Sequence, residues 1–315
     1  MRHFILFLLC TSIKGYELCL QSDGKKQPLV FDSAKVIYPS STCGKNGSGE
    51  LFQSPRKLYT TCNGDKNTVK CKRVNKSITL RDPKNDDNDC TAYKTGFQIP
   101  ASPKPYFHTV YVVCWDKTDN HPKWVKNIIN PNAVAEKEKL VDTAVRTKFR
   151  FSKIIFGGDY NPKPYFSVAH QIKEGLVRER GDFYSRGHLA PAADFFLAAE
   201  RWATFSLENA VPQWQSHNNG VWKDIEFSAR HTKNAHVAET GPIFFNVTHR
   251  RYLDTEHNMI PVPDALYKVI YDEKGDVIFK AQSAMVSSCN SPRLYRTIIG
   301  YNLVFLTNLC TGGVP

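Results

Sequence analysis

Apolar residues recur along the chain in runs the length of strands rather than helices. Val110-Tyr111-Val112-Val113-Cys114-Trp115 is a continuous β-branched and aromatic run, and Ala265-Leu266-Tyr267-Lys268-Val269-Ile270-Tyr271 alternates; both predict strands. Leu29-Val30-Phe31 and Lys35-Val36-Ile37-Tyr38 predict small β elements, and residues 296–307 read as a further strand or a buried helix. Helical signals are fewer. Asn132 is placed to cap a helix running to Thr143. Between 218 and 230, Val221, Ile225 and Ala229 make an apolar stripe, beside a second stripe of Asn218, Trp222, Glu226 and Arg230 at helical spacing. Because strands and helices do not alternate regularly, the pattern predicts an α+β fold with a mixed, largely antiparallel sheet. No internal repeat is visible.

The two ends of the pattern divide the chain. At the start, Arg2 and His3 precede the apolar run Phe4–Cys10, and small and polar residues follow to Gly15, the layout of a secretory signal peptide over residues 1–15. The run is too short to span a membrane. Residues 16–105 are rich in Cys, Lys, Asn, Ser and Gly and predict small β elements stapled by disulfides, with a polar loop at Arg81–Asp89. Three prolines within Pro100–Pro105 mark a boundary, and residues 106–315 form the remainder.

Cysteine usage supports the same compartment. Of nine cysteines, Cys10 lies in the leader, and the other eight predict four disulfides whose pairing is not deducible from sequence. Five of the eight fall before residue 106 and three after it, so complete pairing requires at least one bridge between the two regions. Sequons at Asn46, Asn75 and Asn246 fit glycosylation on that route.

The net charge of +12 falls to +10 once residues 1–15, with Arg2 and Lys14, are removed. A basic secreted protein favours polyanions: nucleic acids, sulfated sugars or anionic membranes. Plain solubility explains the same number, so charge alone decides nothing.

The chemistry concentrates in residues 181–230. Tyr184-Ser185-Arg186-Gly187-His188 places a histidine after a flexible glycine and an arginine at the end of an extended piece. Phosphodiester cleavage needs a base for water and cations for the pentacoordinate phosphate, and His188 and Arg186 are the types that supply them. A helix over 218–230 would present the amide of Asn218, the carboxylate of Glu226 and the guanidinium of Arg230 in a row. Amide and carboxylate oxygens suit a hard ion such as Mg2+; a solvated helix face is the plain alternative. His170, His217, His231, His236, His249 and His257 show no metal-ligand spacing and read as surface or packing residues.

Taken together, Ser185 through Arg230 resembles the Serratia-type DNA/RNA non-specific endonucleases, which carry a ββα-metal active-site motif. The Arg-Gly-His triplet is followed by Asn209-Ala210-Val211-Pro212-Gln213, then by Asn218, Gly220, Trp222, Glu226 and Arg230. Thr240-Gly241-Pro242 and Pro263–Lys268 continue the likeness, which covers roughly 106–310. The leader and Cys-rich region look most like the secreted insect double-stranded-RNA nucleases and salivary endonucleases. The resemblance implies that His188 is the general base and that Asn218 is the direct protein ligand of Mg2+, with Mn2+ able to replace it. It implies that Glu226 holds metal-bound water, that Arg186 and Arg230 meet the phosphate, that Asn209 orients His188 or the motif backbone, and that Gln213 supports the site. Trp222 reads as core packing. The family's usual Asp at the head of the motif is Ser185 here, and a family arginine upstream has only Arg146 and Arg150 as candidates.

The reading that follows is a secreted enzyme cutting RNA, double-stranded in the first instance, and/or DNA, with nucleic acid as its partner and no membrane. A secreted polyanion binder without catalysis, on the same fold, is the alternative. Oligomeric state is not readable.

Overall fold

The computed structural model of the protein describes residues 77–87, 89–99, 106–129, 147–179, 181–195, 197–245 and 250–285, together with the backbone of short strands within 16–74 and 295–306. The chain divides into two compact units, one of residues 1–78, 96–109 and 196–203, the other of residues 79–95, 110–195 and 204–315. The site described below lies in the second.

The strands that position the site are β1 (Ile78–Arg81), β2 (Thr91–Ile99), β3 (Tyr106–Asp116), β4 (His121–Ile128), β5 (Tyr184–His188), β6 (Ala210–Trp214), β7 (Val237–Ile243), β8 (Ala265–Tyr271) and β9 (Val277–Ala284). Seven of them form one sheet in the order β1-β2-β3-β4-β7-β8-β9, and β5 and β6 pair separately. From β3 to β9 the neighbouring strands of this sheet pair antiparallel, for example Val125 opposite Thr240 and Thr240 opposite Lys268. The architecture is therefore α+β with a largely antiparallel sheet, as the apolar pattern predicts.

β4 and β7 are neighbours in the sheet although more than a hundred residues separate them in sequence. The excursion between them carries the site. It includes the helices α1 (Lys153–Phe156), α2 (Val168–Lys173), α3 (Ala198–Ala203), α4 (Gln215–Asn219) and α5 (Val221–Arg230) as well as the β5–β6 ladder. On α5, Val221, Trp222, Ile225 and Ala229 are buried, and the helix packs on β8 and β9. Each such side chain removed from water contributes on the order of 1.5–3 kcal/mol for the large ones.

Two expectations change. The single helix over 218–230 is two helices, because the chain breaks at Gly220. A Cβ at that position would lie 2.8 Å from the carbonyl oxygen of Ser216, so only glycine passes there. Asn218 consequently belongs to α4 and does not share a helix with Trp222, Glu226 and Arg230. At the C-terminal end, residues 295–306 form an antiparallel hairpin, Tyr295–Ile299 with Asn302–Leu306, which selects strand over helix.

A disulfide joins Cys90 to Cys114 with 5.5 Å between their Cα atoms. It links the Cys-rich stretch to the later part of the chain, which the odd cysteine counts on either side require if all eight pair. The side chains of the other cysteines, the sequons, the leader and the expected helix from Asn132 lie outside the described residues. Among the described residues no helix is long and apolar enough to cross a membrane.

Candidate active site

The β5–β6 ladder sets Arg186 opposite Pro212, Gly187 opposite Val211 and His188 opposite Ala210. The glycine between the two functional residues has a steric cause. A Cβ at Gly187 would fall 2.0 Å from Gln213 Oε1 and 2.7 Å from Gln213 Cβ, so a side chain at 187 would displace Gln213. Gln213 has no exposed surface. Its Nε2 donates to His217 Nδ1 at 2.7 Å, and His217 Nε2 stands 2.8 Å from Ser283 Oγ on β9. Accepting at Nδ1 leaves the proton on Nε2, which donates to Ser283. Burial holds the His217 imidazole down at about 4, so this bridge is neutral. His217 is thus a packing histidine, as its spacing suggests. Gln213, which the resemblance also offers as a substrate contact, braces the hairpin from inside, and its Oε1 is buried without a partner.

Asn209 is also fully buried. Its Oδ1 accepts from the Ala190 amide at 2.9 Å, and its Nδ2 donates to the carbonyls of Ala190 and Thr204 at 2.9 and 3.0 Å. Its backbone carbonyl accepts from Leu189 N at 3.0 Å. Of the two roles open to it, Asn209 performs the second: it clamps the backbone that follows His188.

His188 ends β5 with its ring against two phenyl rings, Phe149 and Phe205, both with centroids at 4.9 Å. Its Nε2 is buried and has no hydrogen-bond partner. Burial holds its imidazole down at about 4, which keeps it neutral and able to accept a proton near neutral pH. Arg186 lies two residues away, with its guanidinium 5.5 Å from the Phe149 ring centre and 5.1 Å from that of Phe166. Its Nε is likewise buried without a partner, and burial lowers its affinity for its proton. A base and a cation therefore stand side by side with unspent hydrogen-bonding capacity.

Asn218 donates through Nδ2 to Ser185 Oγ at 3.3 Å, and Ser185 Oγ donates to the Gln213 carbonyl at 2.9 Å. Ser185, in the place of the family Asp, is thus spent on seating the Asn218 amide rather than on His188. With its nitrogen engaged, the Asn218 amide has its Oδ1 left for a hard cation. The chemistry fits such an ion, since Glu226 on the neighbouring α5 is a second oxygen donor. Burial pushes the Glu226 carboxyl up to about 7, against the pull of Lys268 and Arg230. A nearby divalent cation would favour its ionised form.

Glu226 belongs to a buried charged group that the sequence does not announce. Arg230, on the next turn, approaches it at 3.7 Å and donates through Nε to Asp194 Oδ1 at 3.2 Å. Asn127 donates to the other Asp194 oxygen at 3.3 Å. Lys268, 1% exposed in the middle of β8, donates to Thr240 Oγ1 at 2.7 Å. Arg230 is accordingly paired within the protein. Asp194 and Lys268 escape sequence reading, although a lysine amid the apolar run of β8 is a signal of a buried partner. Arg146 lies outside the described residues, and Arg150 bonds through its backbone to Phe205 and Leu207.

A second group of donors occurs at the β3–β4 turn, where oxygens of Asp116 and Asp119 and a nitrogen of His121 lie within 4.8 Å of one another, a spacing a metal ion could bridge. The chain already supplies cations there. Arg250 Nη1 pairs with Asp119 at 2.9 Å, and Lys123 Nζ lies 3.6 Å from Asp116. Asp116 Oδ1 also accepts from the amides of Thr118 and Asp119.

The profile of the family described as DNA/RNA non-specific endonuclease matches residues 88–297. The salivary endonuclease of Lutzomyia longipalpis is 26% identical over 245 residues, covering 74% of this chain and 58% of that protein. The mitochondrial nuclease EXOG of Homo sapiens is 26% identical over 211 residues, covering 64% and 52% respectively. The chain therefore spans between half and three fifths of the length of these relatives. A crystal structure of the EndoG/EndoGI complex aligns over 63% of this chain and 79% of its own, at 21% identity and a TM-score of 0.40. With a match across about two thirds of its length, spanning every residue of the site described above, the chain belongs to the DNA/RNA non-specific endonuclease family.

Proposed function

We propose that the protein is a secreted, metal-dependent endonuclease that hydrolyses phosphodiester bonds of RNA, double-stranded RNA in the first instance, and/or DNA with little sequence preference. The observation that carries this reading is the pairing of a neutral, unpartnered His188 with an unpartnered Arg186 on one strand of the β5–β6 ladder. The secreted compartment rests on the leader pattern of residues 1–15 and the cysteine count. Residues 106–315 are the catalytic part in this reading, with 16–105 as its accessory.

His188 accepts a proton from the attacking water as that water's oxygen bonds to phosphorus and the bond to the 3′ oxygen breaks. The departing oxygen takes a proton from solvent, leaving a 5′-phosphate. Arg186 faces the charge that builds on the phosphate oxygens. Asn218 would hold the Mg2+ ion directly and Glu226 would hold it through water; the ion supplies Lewis acidity at the phosphate when bound. Arg230, fixed by Asp194, keeps Glu226 in place and balances its charge. Asn209 and Gln213 hold the hairpin. Because external water is the nucleophile, a 2′-hydroxyl is not needed, and both RNA and DNA are chemically competent.

Closed circular DNA and long double-stranded RNA test the reading together. Nicked circles followed by linear DNA, or fragmentation of the RNA, with Mg2+ and not with EDTA, is the expected result. A folded protein that binds both polymers and cuts neither would replace the enzyme by a polyanion binder.

A further inference from the structure

The family's motif acid is absent at Ser185, and the structure gives His188 no polar partner at Nε2. Something else must hold the ring. Phe149 and Phe205 both pack against it, tilted by 47° and 83°, and touch each other with centroids 5.3 Å apart, so the three rings form a triangle. Three ties fix these rings from the backbone. Arg150 N donates to Phe205 O at 3.0 Å, and Leu207 N donates to Arg150 O at 2.8 Å, so the segments carrying the two phenylalanines are clipped together. Leu189 N donates to Asn209 O at 3.0 Å, which joins the His188 segment to the same assembly. Phe149 has a second duty, since its ring also lies 5.5 Å from the Arg186 guanidinium carbon, with Phe166 beyond at 5.1 Å.

Resting on the nuclease reading above, we infer that Phe149 and Phe205 are positioning residues that orient the His188 imidazole by ring contact, in place of a carboxylate, and that Phe149 sets His188 and Arg186 at one mutual geometry. A pair of apolar rings packed against it orients a neutral imidazole without adding a charge beside it. A carboxylate would hold the ring by a hydrogen bond and would favour the imidazolium. A leucine at 149 keeps much of the apolar volume but not the flat face against which imidazole and guanidinium rest.

The test compares Phe149→Leu, Phe149→Tyr and Phe205→Leu in the full chain, on plasmid DNA and double-stranded RNA with Mg2+, with the thermal midpoint of each recorded. The expected result is a kcat lower by about tenfold to a hundredfold for the two leucine variants. KM should stay within about threefold of wild type, and Phe149→Tyr should restore most of kcat. Folded leucine variants with wild-type kcat overturn the inference. So does a rise in KM alone, which would make Phe149 a substrate contact acting through Arg186. A readout free of turnover is the His188 imidazole proton resonance, assigned by its loss in His188→Ala in metal-free protein. Two rings at this distance should displace it from the free-imidazole position, and an undisplaced resonance overturns the ring contact even if the leucine variants fail to fold. A wild type that cuts neither polymer, with the resonance displaced, would sink the nuclease reading and leave the ring contact standing.

Discussion

The two halves of the site treat polar groups in opposite ways. On β5, His188 and Arg186 lie among Phe149, Phe166 and Phe205 with buried nitrogens that nothing in the described structure satisfies. Under α5, Glu226, Arg230, Asp194 and Lys268 pack together with two charges of each sign, tied to Thr240 and Asn127. A buried polar group without a partner costs about 1–3 kcal/mol, so proteins retain such groups mainly where a ligand completes them. In the proposed reaction the first half receives a phosphate and a water, and the second holds an acid in place. Two mutations should separate the halves: loss of Arg186 should harm turnover with little effect on folding, and loss of Asp194 should harm folding.

The largest effect expected on stability is from Asp194→Asn. Removing one partner of a buried ion pair, here the one that accepts the Arg230 Nε hydrogen bond and leaves Arg230 with Glu226 alone, costs about 3–5 kcal/mol. Chemical unfolding should show it, and a loss under about 1 kcal/mol would mean that the α5 cluster is not a structural unit. Arg186→Ala should leave the unfolding midpoint nearly unchanged while lowering kcat by about a hundredfold to a thousandfold, the range for removing one group that meets transition-state charge. Arg186→Lys should recover little, because the guanidinium plane rests on two rings that an ammonium does not match. A fully active Lys variant would show that charge alone suffices.

Gly187→Ala lies at the joint of the two halves. Its methyl group would collide with Gln213, so overpacking should cost about 1–3 kcal/mol and disturb His188 as well. An alanine variant of wild-type stability and rate would refute the bracing role of Gln213.

The smallest effects are in pH dependence, and their signs differ between the halves. His188 and His217 have folded values of about 4, below the ordinary value for histidine, so the unfolded chain takes up protons first as the medium is acidified. Their contribution is present above about pH 6.5 and is lost as pH falls toward 4. Glu226 runs the other way. Its folded value of about 7 lies above the ordinary carboxylate range, so its contribution is lost as pH rises from about 4.5 to 7. In metal-free protein at pH 8, Glu226→Gln should therefore be more stable than wild type by about 1–3 kcal/mol, while cutting more slowly with Mg2+. A variant destabilised under those conditions would show that the carboxylate is a net stabilising group even without an ion.

The strand pattern and the motif were readable because each has a local cause. Alternation at Ala265–Tyr271 follows from the pleat, and the Arg-Gly-His triplet follows from one glycine that Gln213 requires. The break at Gly220 was not readable. Helical spacing from Asn218 to Arg230 fits a continuous helix, and the collision with the Ser216 carbonyl exists only in the fold. Asp194, Lys268, Phe149 and Phe205 were missed for a related reason. They reach the site from distant segments, and nothing in their own sequence neighbourhoods marks them except a lysine in an apolar strand.

The claim on which the account turns is that His188 is the base. Single-turnover cleavage of plasmid DNA by His188→Gly, with Mg2+ and with increasing free imidazole, tests it directly. The expected result is a loss of about a thousandfold or more for the variant, within the range for a positioned general base combined with site disruption, and a saturable recovery as imidazole occupies the vacated space beside Phe149 and Phe205. A folded His188→Gly protein that still cuts at a rate near wild type would contradict it.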